Sequence, residues 1–99
     1  MSIGGSVQSK NKPRMTQAER EHVTRIKLMP CCVCGEGGGE SAPSEAHEIE
    51  QGQWFTSIPL CADCHRGSHN GLHGQRRIWD VKRLTELSAL NSVVAQLVS

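Results

Sequence analysis

Tyrosine is absent from this 99-residue sequence, and one phenylalanine and two tryptophans make up its whole aromatic complement, 3% of the residues. So little aromatic bulk leaves a thin core, and a chain of this size commonly needs a disulfide, a metal or a partner subunit to offset the entropy of folding. Nor is there an apolar run of the roughly 20 residues that a membrane-spanning helix requires. The first thirty residues lack the apolar segment of a secretion signal, and the five cysteines are an odd number, so a secreted disulfide framework is not expected. These absences point to a soluble, intracellular, cytoplasmic protein with reduced thiols. The polar stretch "MSIGGSVQSKNKPR" sets a flexible basic tail over 1–15, ahead of one folded domain over 16–99.

Lysine and arginine are also missing from residues 31–64, a segment that holds six acids. Residues 1–30 hold six Lys or Arg against two acids, and residues 65–99 hold five against two. The net charge of +1 therefore conceals basic flanks around an acidic, cysteine-rich centre. A metal site between phosphate-binding arms has that layout, and so does a generic solvated surface.

What is present is local and patterned. Thr16 followed by Glu19 forms a capping-box signature, and "QAEREHVTRIKLM" suits a helix that Pro30 ends, with Val23, Ile26 and Met29 on its apolar side and His22 facing solvent. The glycine-rich acidic loop "GEGGGESAPS" leads to "EAHEIE" and "WFTSIPL", expected as the strands of a hairpin joined by "QGQ". "ADCHRG" opens a short helix, but Gly67, Gly71 and Gly74 exclude one continuous helix through His65, His69 and His73. "QRRIWDVKRL" reads as helical. Thr85 is placed to cap a last helix whose Leu87, Leu90, Val94 and Leu97 form a core stripe or a dimer seam.

Chemistry enters with the cysteines. Cys31-x-x-Cys34 and Cys61-x-x-Cys64 are two knuckles, each able to wrap one side of a tetrahedral zinc ion, and twenty-six residues separate them. Cys32 is left over as a free thiol. Just beyond the second knuckle, "CHRGSHNGLHG" places three of the five histidines.

In sequence order the chain runs Cys-x-x-Cys-Gly, "AHEI", then "IPLCADCH". From Cys31 to Gly74, and less closely to Trp79, it resembles the HNH (His-Me finger, ββα-metal) endonucleases that carry a four-cysteine zinc site. "PLCADCHRG" and "HNGLHG" look most like small phage-borne recombination nucleases. The resemblance implies an α+β fold, a small zinc-bound ββα-metal domain (core 31–74) with flanking N- and C-terminal helices. It further implies a DNA endonuclease with structural Zn²⁺ on Cys31, Cys34, Cys61 and Cys64, and a catalytic divalent ion of Mg²⁺ or Mn²⁺, with Zn²⁺ or Ni²⁺ suited by ligand softness. A phage or prophage gene product acting in a bacterial host follows from the same resemblance.

Carried over by position, His47 matches the family's first metal ligand and His65 its last; His73, which no family position supplies, is expected as a third ligand or a phosphate contact. Glu48 stands where the family's general-base histidine is expected. Three assignments remain open: Glu48 is the base; His47 is the base, with Glu45 or Glu48 on the metal; or His69 or His73 supplies the imidazole. A carboxylate near pKa 4.3 is a weaker base than imidazole unless desolvation raises it. Arg66, Arg76, Arg77, Lys82 and Arg83 are positioned to neutralise phosphates. Trp54 and Trp79 either stack on bases or fill the core. The expected partner is DNA, single-stranded, duplex or branched, with a homodimer or a recombination protein as further partners. The alternative is a zinc-binding module without catalysis that binds DNA or protein.

Overall fold

The Thr16 hydroxyl accepts the Glu19 amide while the Glu19 carboxylate accepts the Thr16 amide at 2.7 Å, and this closed capping box starts helix α1, Gln17–Leu28. The structure, a computed structural model, describes residues 14–99, so all of the expected tail except Arg14 and Met15 lies outside it. After α1 come strand β1 (Glu45–Glu48), a single 3₁₀ turn (Trp54–Thr56), strand β2 (Ser57–Leu60), and helices α2 (Ala62–Arg66), α3 (Arg77–Val81) and α4 (Glu86–Val98). Among the described residues this is a small α+β fold of one two-stranded sheet and four α-helices. No helix among them is long and apolar enough to cross a membrane.

The acidic loop 35–44 is ordered by the end of α1. Gly39 and Ser44 donate their amides to the Leu28 and Lys27 carbonyls, and the Ser44 hydroxyl donates to Met29 at 2.6 Å, so the loop satisfies carbonyls that the helix end leaves open. Gly38 is needed there: its φ is +90°, and a Cβ would sit 2.8 Å from the Met29 carbonyl carbon.

β1 and β2 pair antiparallel, with Glu45 opposite Leu60 and His47 opposite Ile58. All four residues of β2 are buried. Ile26, Ile58, Leu60 and Trp79 are each fully buried and pack with Val33, Leu72, Ala89 and Val93. Burying a side chain such as Ile58 or Leu60 contributes ~1.5–3 kcal/mol, and few such residues are available. Trp79 also donates its indole N–H to the Cys64 carbonyl at 3.0 Å, tying α3 to the second knuckle.

Several local expectations are corrected. The hairpin connection is longer than "QGQ", because Trp54–Thr56 winds into a 3₁₀ turn and Ile49–Gln53 stays outside the ladder. The α3 helix is shorter than "QRRIWDVKRL", because Arg76 takes a left-handed φ of 59° and Arg83 one of 56°. The α4 stripe splits: Ala89 and Val93 face the core with Leu90 and Leu97 beside them, while Leu87 is 72% exposed and Val94 is also exposed. His22 does not face solvent freely; its ring lies 5.2 Å from that of Phe55 and its Nε2 is buried without a partner. Trp79, at 0% exposure, is core and cannot stack on a base, whereas Trp54 is half-buried.

Candidate metal centres

The first knuckle follows Pro30, where the chain turns under β2. Cys31 accepts the Gly35 amide on its carbonyl and gives its own amide to Glu36, and Cys32 gives its amide to the Pro59 carbonyl at 2.9 Å, so the knuckle is docked onto the strand. The second knuckle is the start of α2: Cys61 is its N-cap, and its sulfur accepts the Cys64 amide at 3.4 Å. In the first knuckle the Val33 amide likewise donates to the Cys31 sulfur at 3.4 Å. The four sulfurs of Cys31, Cys34, Cys61 and Cys64 fall within 4.8 Å of one another, with Cys34 and Cys61 at 3.6 Å. Thiolates about 2.3 Å from a tetrahedral ion stand roughly 3.8 Å apart, so the donor set and its spacing fit zinc.

Burial pushes Cys31 up, but amide hydrogen bonds from Cys34, Cys61 and Val33 outweigh it and carry its pKa below the ordinary thiol value. Cys34 and Cys64 are pushed up by burial and by the neighbouring sulfurs. Four thiolates at this spacing would repel one another, and a divalent ion that displaces the thiol protons would offset that repulsion. Cys32 stands outside the cluster, and burial pushes it up to about 12, so it stays an inert packed thiol.

The second cluster lies at the other end of α2. One nitrogen from each of His47, His65 and His73 falls within 4.8 Å of the others, and the rings stand 5.0 to 5.4 Å apart. His47 reaches it from β1, where it is buried; His65 follows Cys64 directly; His73 returns from the loop after Gly67. That return explains the glycines. The Leu72 amide bonds the Cys64 carbonyl and the His73 amide the His65 carbonyl, which folds the loop back along α2. A Cβ on Gly74 would meet the Gly67 carbonyl oxygen at 2.4 Å, so the loop closes this tightly only without one.

Carboxylates hold two of the rings. Glu45, two residues before His47 and therefore on the same side of the strand, accepts from His65 Nδ1 at 2.8 Å and from Arg66 at 2.5 Å. The Arg66 guanidinium, and after the opposing effect of burial the His65 ring, hold the Glu45 carboxyl down at about 2. With His65 Nδ1 committed to Glu45, its Nε2 is the nitrogen left for a metal. The Glu86 carboxylate, from the first turn of α4, lies 2.6 Å from His47 Nε2.

The remaining predicted residues are dispersed. Glu48 lines an open cleft of about 270 Å³ with Ala46, His47, Gln51 and His65, and its carboxylate accepts the Gly52 amide at 2.7 Å. His69 is exposed beside Ser68, outside the cluster. Arg66 is clamped to Glu45, and the Lys82 ammonium reaches back to the Val33 carbonyl at 2.5 Å. Arg76 and Arg77 follow the histidine loop at the start of α3, and Arg77 bonds Gln75. Sequence reasoning missed Glu86, which is 39 residues from His47 and carries no motif. The role of Glu45 was readable from its two-residue offset within the strand.

Comparison with protein-family models, with curated proteins and with solved structures yields no match.

Proposed function

We propose that this chain is a metal-dependent DNA endonuclease of the HNH type, a phosphodiester hydrolase whose ββα unit is β1, β2 and α2. The observation that carries this reading is the convergence of His47, His65 and His73, from a strand, a helix and a loop, at a point apart from the four cysteines. Cys31, Cys34, Cys61 and Cys64 would hold structural zinc, and the three imidazoles would hold the catalytic divalent ion. Such an ion would neutralise charge on the attacked phosphate and on the leaving oxygen. The chain's own groups do the rest: Arg66 fixes Glu45, Glu45 orients His65, and Glu48 in the adjoining cleft takes the proton of the attacking water. Arg76 and Arg77, close in sequence to His73, supply backbone contacts to DNA, with the strong salt dependence of phosphate binding. A phage or prophage origin, work in recombination or DNA processing, and a cytoplasmic location belong to the same reading.

A module without catalysis is favoured by one observation: Glu48 is hydrogen-bonded within the hairpin turn rather than left to activate water. Cleavage of supercoiled plasmid and of labelled single-stranded and branched DNA, with Mg²⁺, Mn²⁺, Ni²⁺ or EDTA, separates the two. Metal-dependent cutting that Glu48→Ala and His65→Ala abolish establishes the nuclease and its base. Binding without cutting on every substrate establishes the module.

A further inference from the structure

α4 lies outside the hairpin and knuckles, yet it sends a carboxylate, Glu86, to the histidine cluster. Its first turn is fixed by a second capping box, in which Thr85 and Ser88 exchange side-chain and amide hydrogen bonds, and it is anchored by buried Ala89 and Val93. Glu86 is thereby carried to His47 on a rigid element rather than on a mobile loop. The contact is short, 2.6 Å, and His47 is 9% exposed, so little water competes for the ring.

We propose that Glu86 is a positioning residue of the histidine cluster: its carboxylate holds His47 as the Nε2–H tautomer and leaves Nδ1 as the nitrogen offered to the metal. This rests on the reading of His47, His65 and His73 as one metal site. An ionised carboxylate only accepts hydrogen bonds, so the ring nitrogen that faces it at 2.6 Å is the one that carries a proton, and Nδ1 is the nitrogen that faces no carboxylate. Glu86 is not among the groups whose donor atoms all lie within 4.8 Å of one another, so it meets the cluster through His47. His65 is the mirror case, with Nδ1–H on Glu45 and Nε2 offered. The two rings thus present opposite nitrogens, each backed by its own carboxylate, one from β1 and one from α4. Carboxylate support of this kind fixes ring orientation and raises ligand basicity, and its loss typically weakens metal binding about 10- to 100-fold.

The test uses the full chain with one equivalent of zinc. Long-range ¹H–¹⁵N correlation of the imidazole rings should show His47 as the Nε2–H tautomer in the wild type and as a mixture in Glu86→Ala. Titration with Ni²⁺ should show the second-site affinity falling about 10- to 100-fold in Glu86→Ala and by less in Glu86→Gln, whose amide oxygen still accepts the N–H. Zinc at the cysteines should be retained in both, and the isosteric Gln keeps the comparison valid should Ala disturb α4. An Nδ1–H tautomer in the wild type, or equal Ni²⁺ affinity in all three proteins, overturns the proposal. A wild type that takes up no second metal overturns the three-histidine reading instead, while the tautomer still decides the Glu86–His47 pairing.

Discussion

The cysteine cluster and the histidine cluster share helix α2 and differ in almost everything else. The first is built from a short loop and the first turn of α2, whose own amides point at the sulfurs, with Cys31 and Cys64 buried against the core. The second is assembled from three distant positions and backed by carboxylates, and it grades from buried His47 to exposed His73. Closed thiolate sites are built to hold a fold, whereas a half-open set of imidazoles leaves coordination positions for water and substrate. The same five-residue helix thus borders both clusters: Cys61 at its N-cap and Cys64 within it belong to the cysteine set, and His65, one residue on, belongs to the histidine set.

The strongest way to break the comparison is to remove one ligand from each side. Cys61→Ala should lose zinc and unfold, because metal binding in so small a domain is largely folding free energy; circular dichroism and zinc content read this directly. His65→Ala should keep its zinc and its fold, bind no second metal and cut DNA at least about 100-fold more slowly. If His65→Ala also collapses the fold, the two sites are not separable.

A smaller effect should follow from the loop that carries His73. Gly74→Ala forces a Cβ against the Gly67 carbonyl and should cost ~1–3 kcal/mol, displacing His73. Second-metal affinity should drop while the cysteine site, monitored through zinc retention, stays as it was.

The smallest predicted effect lies at His22, away from both clusters. Burial and then the Arg25 charge lower its pKa below 6.5. The unfolded chain thus binds this proton more readily, so His22 costs stability as pH falls through 6.5 toward its lower folded value. His22→Leu should flatten that part of the pH–stability curve, measured by urea unfolding between about pH 5 and 7, and leave stability at pH 8 nearly unchanged.

How much of this was legible in the sequence follows the same division. The knuckles are readable because their geometry is local: two cysteines three apart close on one ion whatever lies between the pairs. The capping box at Thr16 and the helix cap at Thr85 are readable for the same reason, whereas the return bond from Ser88 that closes a second box is not. The histidine cluster depends on tertiary folding. His65 is visible in a histidine-dense run, but its role and that of His47 come only from the resemblance, and the placement of His73 depends on glycines that read as helix breakers but serve to fold a loop back along α2. The pairing of Glu86 with His47 has no local signature, since it is made by packing α4 against β2. The apolar stripe on α4 misled for a related reason: helical period gives a face, but only the packed fold shows that Ala89 and Val93 point inward and Leu87 outward.

Two metal sites of different chemistry in one small domain are the central claim, and cobalt titration of the metal-free chain tests it most directly. The first equivalent of Co²⁺ should give the intense sulfur-to-metal charge-transfer bands of a tetrahedral thiolate site. The second should add only the weak visible bands of nitrogen and oxygen ligation, and it should vanish in His65→Ala while the first persists. Saturation at one equivalent in the wild type, or loss of the thiolate bands in His65→Ala, would contradict it.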